Sequence, residues 1–155
     1  MNTMPRTKNQ HFTKIGDELA HYLADTYTLY LKTQNFHWNI TGPDFYSLHI
    51  MLEAQYKELA DAVDLIAERI RALNCHTPAS FSQFLKLTSL KEETGSLSSK
   101  EMIKQLLKDH ETVIHHSNII LETAQKAHDE GTVDLLIERL RAHEKTAWML
   151  RSILE

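Results

Sequence analysis

Cysteine, proline and glycine are scarce: one, three and four residues respectively in a chain of 155. The single cysteine, Cys75, excludes a disulfide within the chain and fits a reducing compartment. So little glycine and proline excludes a sandwich or barrel, which would need many tight turns. No stretch is apolar for long enough to span a membrane. The first twenty residues carry no continuous apolar run of the secretory kind, so a cytoplasmic protein is expected. Positive charge is also short. The net charge is −4, and an acidic chain as a whole is a poor non-specific partner for phosphate backbones. What is present is 42% hydrophobic and 25% charged residues, enough to bury a core in one domain built of long helices.

Residues 1–13 are polar and unpatterned and are read as a flexible tail, leaving 14–155 as a single domain. A helical pattern runs from about Lys14 to Trp38, with Leu19, Leu23, Tyr30 and His37 on nearly one face. Gly42 and Pro43 break it, and Asp44 is placed to cap a second helix from Phe45 to about Asn74. There Leu48, Leu52, Tyr56, Leu59, Val63, Ile66 and Ile70 recur at spacings of three and four. A short amphipathic piece, SFSQFLKL, follows within a long connection. Ser98 with Glu101 has the form of a capping box for a third long helix, Lys100 to about Asp129. Gly131 is expected to stop that helix and Thr132 to cap a fourth, which runs to the end. The class is all-α: a four-helix bundle with a short extra helix between helices 2 and 3. A connection of this length can run the height of a bundle, as the crossover of ferritin-like folds does.

The second helix carries the chemistry. His49 and Glu53 are four residues apart, as are Asp64 and Glu68, so each pair shares a face. Histidine with carboxylates is a nitrogen–oxygen ligand set suited to iron, zinc or manganese. Yet His49 and Asp64 are separated by fifteen residues, about 22 Å along a helix. One metal cannot span that distance. The four residues make either two half-sites or solvated surface pairs. An antiparallel copy of the helix, related by a two-fold axis near Glu58, would bring His49 and Glu53 opposite Asp64 and Glu68. His37, at the end of the first helix, can join His49 from its own chain.

NFHWN, SLHIMLEAQY and DLIAERI, in this order and spacing, resemble the Dps family of miniferritins, and the likeness extends to KTAWMLRSILE at the C-terminus. The resemblance implies a bacterial, cytoplasmic and in some cases nucleoid-associated homo-oligomer: a dodecameric hollow shell built from two-fold dimers. It implies a ferroxidase that binds two irons per interfacial site, oxidises Fe(II) preferentially with hydrogen peroxide, stores the ferric mineral and so protects DNA. Position by position, His37, His49 and Glu53 match the ligands from one subunit, and Asp64 and Glu68 those from its partner. Trp38 matches the tryptophan beside the site, as a radical scavenger or simply as an aromatic packed at the helix end. Asp134, and after it Asp129, match the acidic pore at the three-fold axis; ordinary helix-start acids are the competing reading. Two positions depart from the family pattern. Glu53 stands where Asp is frequent, and Asn74 with Cys75 where two glycines are usual.

Other signals are weaker. His110, His115 and His116 are read as surface or interface residues, because adjacent residues diverge by about 100° on a helix. Glu18 and His21 form half of an intra-bundle di-iron motif, whose second Glu-x-x-His is absent from the sequence. Arg6, Lys8 and Lys14, with no acid in the first fourteen residues, leave DNA compaction through the tail as the alternative function.

Overall fold

The structure, a computed structural model, describes residues 6–155. It contains five helices and, among the described residues, no strand: α1 (Arg6–Asn39), α2 (Phe45–Ala72), α3 (Phe81–Leu87), α4 (Ser99–Lys126) and α5 (Glu130–Leu154). The long helices α1, α2, α4 and α5 form the bundle, with α1 packed on α2 and α4 on α5. The short α3 lies against α1.

The bundle follows from a repeat of alternating fours and threes. Along α1, and at Ile40 just past its end, the fully buried positions include Ile15, Leu19, Tyr22, Thr26, Leu29, Thr33, Phe36 and Ile40. On α4 they include Ile103, Leu106, His110, Val113, Ser117, Ile120 and Ala124. A 3.5-residue period keeps one seam facing its neighbours along the helix, which is the condition for near-parallel bundle packing. Threonine fits the seam because its hydroxyl bonds within the helix. Thr26 donates to the Tyr22 carbonyl at 2.8 Å and Thr33 to the Leu29 carbonyl at 2.7 Å.

Helix α1 begins at Arg6, earlier than the Lys14 expected from the pattern. Phe12 extends the buried stripe one turn beyond Ile15 and packs against the core, so residues 6–13 belong to the helix rather than to a tail. Residues 1–5 of that expected tail, and the side chains of Arg6 and Lys8, lie outside the described residues.

The C-termini of α2 and α4 close without glycine. After α2, Asn74 takes φ 63°; its N–H donates to the Arg71 carbonyl at 2.9 Å and that of Cys75 to Ile70 at 3.1 Å. After α4, His128 takes φ 56°, with the same pair of bonds from His128 to Gln125 and from Asp129 to Ala124. These are Schellman closures with Asn and His in the left-handed position. His128, not Gly131, thus ends α4. The cap of α5 is Asp129, whose side chain accepts from the Thr132 N–H, so Gly131 and Thr132 lie inside the helix. Asp44 occupies the N-cap position of α2 through its carbonyl alone. The capping box of Ser98 and Glu101 is present as expected.

The long connection is tied to α1. Asp25 accepts from the Ser89 N–H at 2.7 Å and from the Thr88 hydroxyl at 2.8 Å. Lys32 donates to the Lys91 carbonyl and Asn35 to the Glu93 carbonyl.

Candidate metal centre

His37 ends α1 and His49 opens α2, so the turn between them decides how they meet. Gly42, at φ 113°, reverses the chain where a side chain would strain the backbone. The two rings then stack, with centroids 3.8 Å apart and planes 11° from parallel. His37 Nδ1–H donates to the His49 carbonyl at 2.8 Å, and His49 Nδ1–H donates to the His37 carbonyl at 2.8 Å. A carbonyl oxygen can only accept. Each neutral ring therefore carries its proton on Nδ1 and keeps a lone pair on Nε2, the tautomer held in place for a metal-binding imidazole. Phe45 stacks on His49 at 5.0 Å, and Tyr56 meets His37 edge-on at 5.1 Å.

Glu53 stands one turn beyond His49. Its carboxylate pairs with Lys57 Nζ at 3.0 Å, four residues on. The Lys57 ammonium, by hydrogen bond and charge, holds Glu53 below the ordinary carboxylate range, and both histidines add to the effect. Lys57 went unread in the sequence, although its spacing from Glu53 is the signal for such a pair.

Asp64 and Glu68 lie on the exposed side of α2, with no hydrogen bond or ion pair to the described residues. Among the described residues, no three histidines, cysteines or carboxylates of one chain gather closely enough to hold a metal ion. One chain thus stacks His37 on His49, sets Glu53 one turn further along α2, and holds Asp64 and Glu68 apart from them.

The surroundings are apolar and uncovered. Ile50 and Leu65 are 45% and 48% exposed beside the His49–Glu53 and Asp64–Glu68 pairs, and Trp38 is 61% exposed. Trp38 is therefore not packed into its own chain. Ile50 and Leu65, fifteen residues apart on α2, leave apolar surface beside each pair that a second molecule can cover.

At the other end of the bundle the two acidic candidates differ. Asp134 is exposed in the first turns of α5. Asp129 is buried, and its oxygens are taken by Arg69 at 2.6 Å and by the Thr132 hydroxyl at 2.6 Å. His110 departs from its expected surface position: it falls in the 3.5-residue seam of α4 and is only 2% exposed.

Comparisons with known proteins agree with this architecture. The family model for the Ferritin-like domain matches residues 16–155. The DNA protection during starvation protein of Helicobacter pylori is 38% identical over 140 residues, covering 90% of this chain and 97% of that protein. Among solved structures, a DPS protein from Vibrio cholerae O1 superposes with a TM-score of 0.92 at 34% identity, over 95% of this chain and 92% of that one. It is described as a member of a broad superfamily of ferritin-like diiron-carboxylate proteins. A Dps protein from Bacillus brevis gives a TM-score of 0.91 at 32% identity, over 98% and 100%. With the four long helices, the crossover and the paired histidines in place, this chain belongs to the Dps family of ferritin-like proteins.

Proposed function

We propose that two copies of this chain pair with antiparallel α2 helices and form two ferroxidase sites between them. In each site His37, His49 and Glu53 come from one subunit, and Asp64 and Glu68 from the other. Fe(II) is the substrate. Two Fe(II) ions each give one electron to one hydrogen peroxide, whose O–O bond breaks to leave two hydroxides and no hydroxyl radical. The Fe(III) is then stored as mineral inside a dodecameric shell, and DNA is protected because the iron and peroxide are consumed together. Zn(II) and Mn(II) suit the same donors and compete. Trp38, exposed next to His37, is placed to intercept stray radicals.

The observation that carries this reading is the reciprocal pair of hydrogen bonds between His37 and His49, which leaves both Nε2 lone pairs free. The unpaired carboxylates of Asp64 and Glu68 support it, as does the family's description as diiron-carboxylate proteins. Iron reaches the interior past Asp134, which is exposed, whereas Asp129 has its carboxylate committed to Arg69 and Thr132. DNA binding through Arg6, Lys8 and Lys14 ranks second, since three cations per chain act against a net charge of −4.

The test is Fe(II) oxidation under anaerobic conditions on adding peroxide, beside the same protein given only oxygen. Peroxide-driven oxidation that is lost in Asp64→Ala supports the site; a rate no better than protein-free buffer refutes it. Shared ligands are tested by mixing His49→Ala with Glu68→Ala. A mixed dimer holds one doubly damaged site and one intact site, so mixing restores activity if the ligands come from two chains.

A further inference from the structure

Glu18 with His21, and separately His116, look unrelated in the sequence. The fold brings them to one groove of about 280 Å³ between α1, α4 and the segment around Leu87 and Ser89. The helices run antiparallel here, with Glu18 against Thr123, Tyr22 against Ser117 and Asp25 against His116. His21 therefore stands between Glu18, one turn before it, and the level of His116, one turn beyond.

Both imidazoles are held in the same way. His21 Nδ1–H donates to the Leu87 carbonyl at 3.0 Å. His116 Nδ1–H donates to Asp25 Oδ2 at 3.0 Å. Neutral rings so bound carry their lone pairs on Nε2, and a carbonyl or carboxylate on the far nitrogen is the usual support of a metal-ligating histidine. Asp25 is itself immobilised by Thr88 and Ser89. Its orientation is set, and with it that of His116.

Glu18 supplies an anion with little to bind. Its Oε1 accepts from the Thr123 hydroxyl over a long 3.4 Å, and its Oε2 is buried without a partner. Burial raises the pKa of this carboxyl above the ordinary value despite Lys14 nearby. A cation in the groove would satisfy both oxygens.

We propose that this groove binds a divalent cation of the Zn2+ class through His21 Nε2, His116 Nε2 and the Glu18 carboxylate. Two imidazoles and one carboxylate, with a fourth position left to water, form a donor set characteristic of zinc. As the side chains stand, the three donors do not meet at one point. Closure requires Glu18 to leave its long contact with Thr123 and the His21 and His116 rings to turn toward a common point about their Nδ1 hydrogen bonds. The site is separate from the histidine pair of the interface, since His21 lies sixteen residues, about 24 Å, from His37 along α1. Bound there, the cation joins α1 to α4 and, through Leu87 and Asp25, to the crossover.

The experiment is calorimetric titration of Zn2+ into the assembled protein carrying His37→Ala, His49→Ala, Glu53→Ala, Asp64→Ala and Glu68→Ala, which removes all five proposed interfacial donors. One Zn2+ per chain is expected. Adding His21→Gln weakens binding by at least about tenfold. A glutamine amide can still donate to Leu87, so the thermal midpoint without zinc is expected to stay unchanged. Zinc raises the midpoint of the parent and not of the His21→Gln variant. X-ray absorption at the zinc edge shows two imidazole ligands. No zinc uptake, uptake that His21→Gln and His116→Gln leave intact, or fewer than two imidazoles on the metal would each overturn the proposal.

Discussion

His110 and His143 face each other across the middle of the bundle, with their Nδ1 atoms 2.9 Å apart. Arg139 settles which one donates. Its guanidinium, which can only donate, gives a hydrogen bond to His143 Nε2 at 2.9 Å. His143 must then carry its proton on Nδ1 and donate to His110. That leaves the proton of His110 on Nε2, a buried atom with no partner. Arg139 is anchored in turn by Glu58, midway between the His49–Glu53 and Asp64–Glu68 pairs on α2.

This pair makes stability depend on pH. Burial, with Arg139 second, lowers His110 to about 3, and burial, followed by the adjoining His110 and Arg139, takes His143 well below its usual value. Both are neutral in the fold, whereas in the unfolded chain each binds a proton below about pH 6.5. The unfolded state thus binds more protons, and stability falls as pH drops from 6.5 toward 3. The two groups together contribute a slope of up to about 2.7 kcal/mol per pH unit. Denaturant midpoints measured from pH 8 to pH 5 should be flat above 6.5 and fall below it. The double variant His110→Phe/His143→Leu should flatten the acid limb; an unchanged limb would assign the acid loss elsewhere.

With Glu53 as a ligand of the proposed site, Lys57 competes with the metal for its carboxylate. Lys57→Gln is expected to increase Fe(II) affinity and the initial oxidation rate a few-fold at low salt. The gain should shrink as added salt screens the Lys57 charge in the parent. Stopped-flow rates at two ionic strengths measure it, and equal rates in parent and variant would mean that the pair does not restrain Glu53.

Asp129 and Asp134 should separate into stability and transport. Asp129→Ala removes the cap of α5 and leaves the Arg69 guanidinium without its carboxylate, at a cost of about 2–4 kcal/mol. Asp134→Ala touches no partner and should change stability by less than about 0.5 kcal/mol. It should nevertheless slow iron entry. Denaturation and iron-uptake curves on both variants decide the assignment, and slowed uptake in neither would remove the pore role.

Gly16 is required by Cys75. A Cβ at residue 16 would lie 2.5 Å from the Cys75 sulfur. Gly16→Ala should destabilise by about 1–3 kcal/mol, and Cys75→Ala in the same chain should recover part of that. Burial, followed by the nearby Asp17, pushes the Cys75 thiol above its usual pKa. Its reaction with a disulfide reagent at pH 7.5 should be slower than that of free cysteine, as expected of a packing residue.

Much of this was legible in the chain alone. Spacings of three and four marked the long helices, because burying one face of a helix demands them whatever lies opposite. The fifteen residues between His49 and Asp64 separated the ligand pairs, because a helix has a fixed rise. Local patterns failed where a contact comes from far along the chain. His110 read as surface because nothing near it reveals His143, thirty-three residues away. The Arg69 partner of Asp129, sixty residues earlier, is likewise invisible from the turn. Gly131 read as a helix stop because glycine is the usual signal, yet its place inside α5 is set by the Arg69 guanidinium, which leaves no room for a side chain. Glu18, His21 and His116 became neighbours only when α1 and α4 packed. Sequence periodicity determined which face of each helix is buried, since that is a one-helix property. Which polar groups meet inside the bundle was decided by the register between helices, and register is a property of the packed pair.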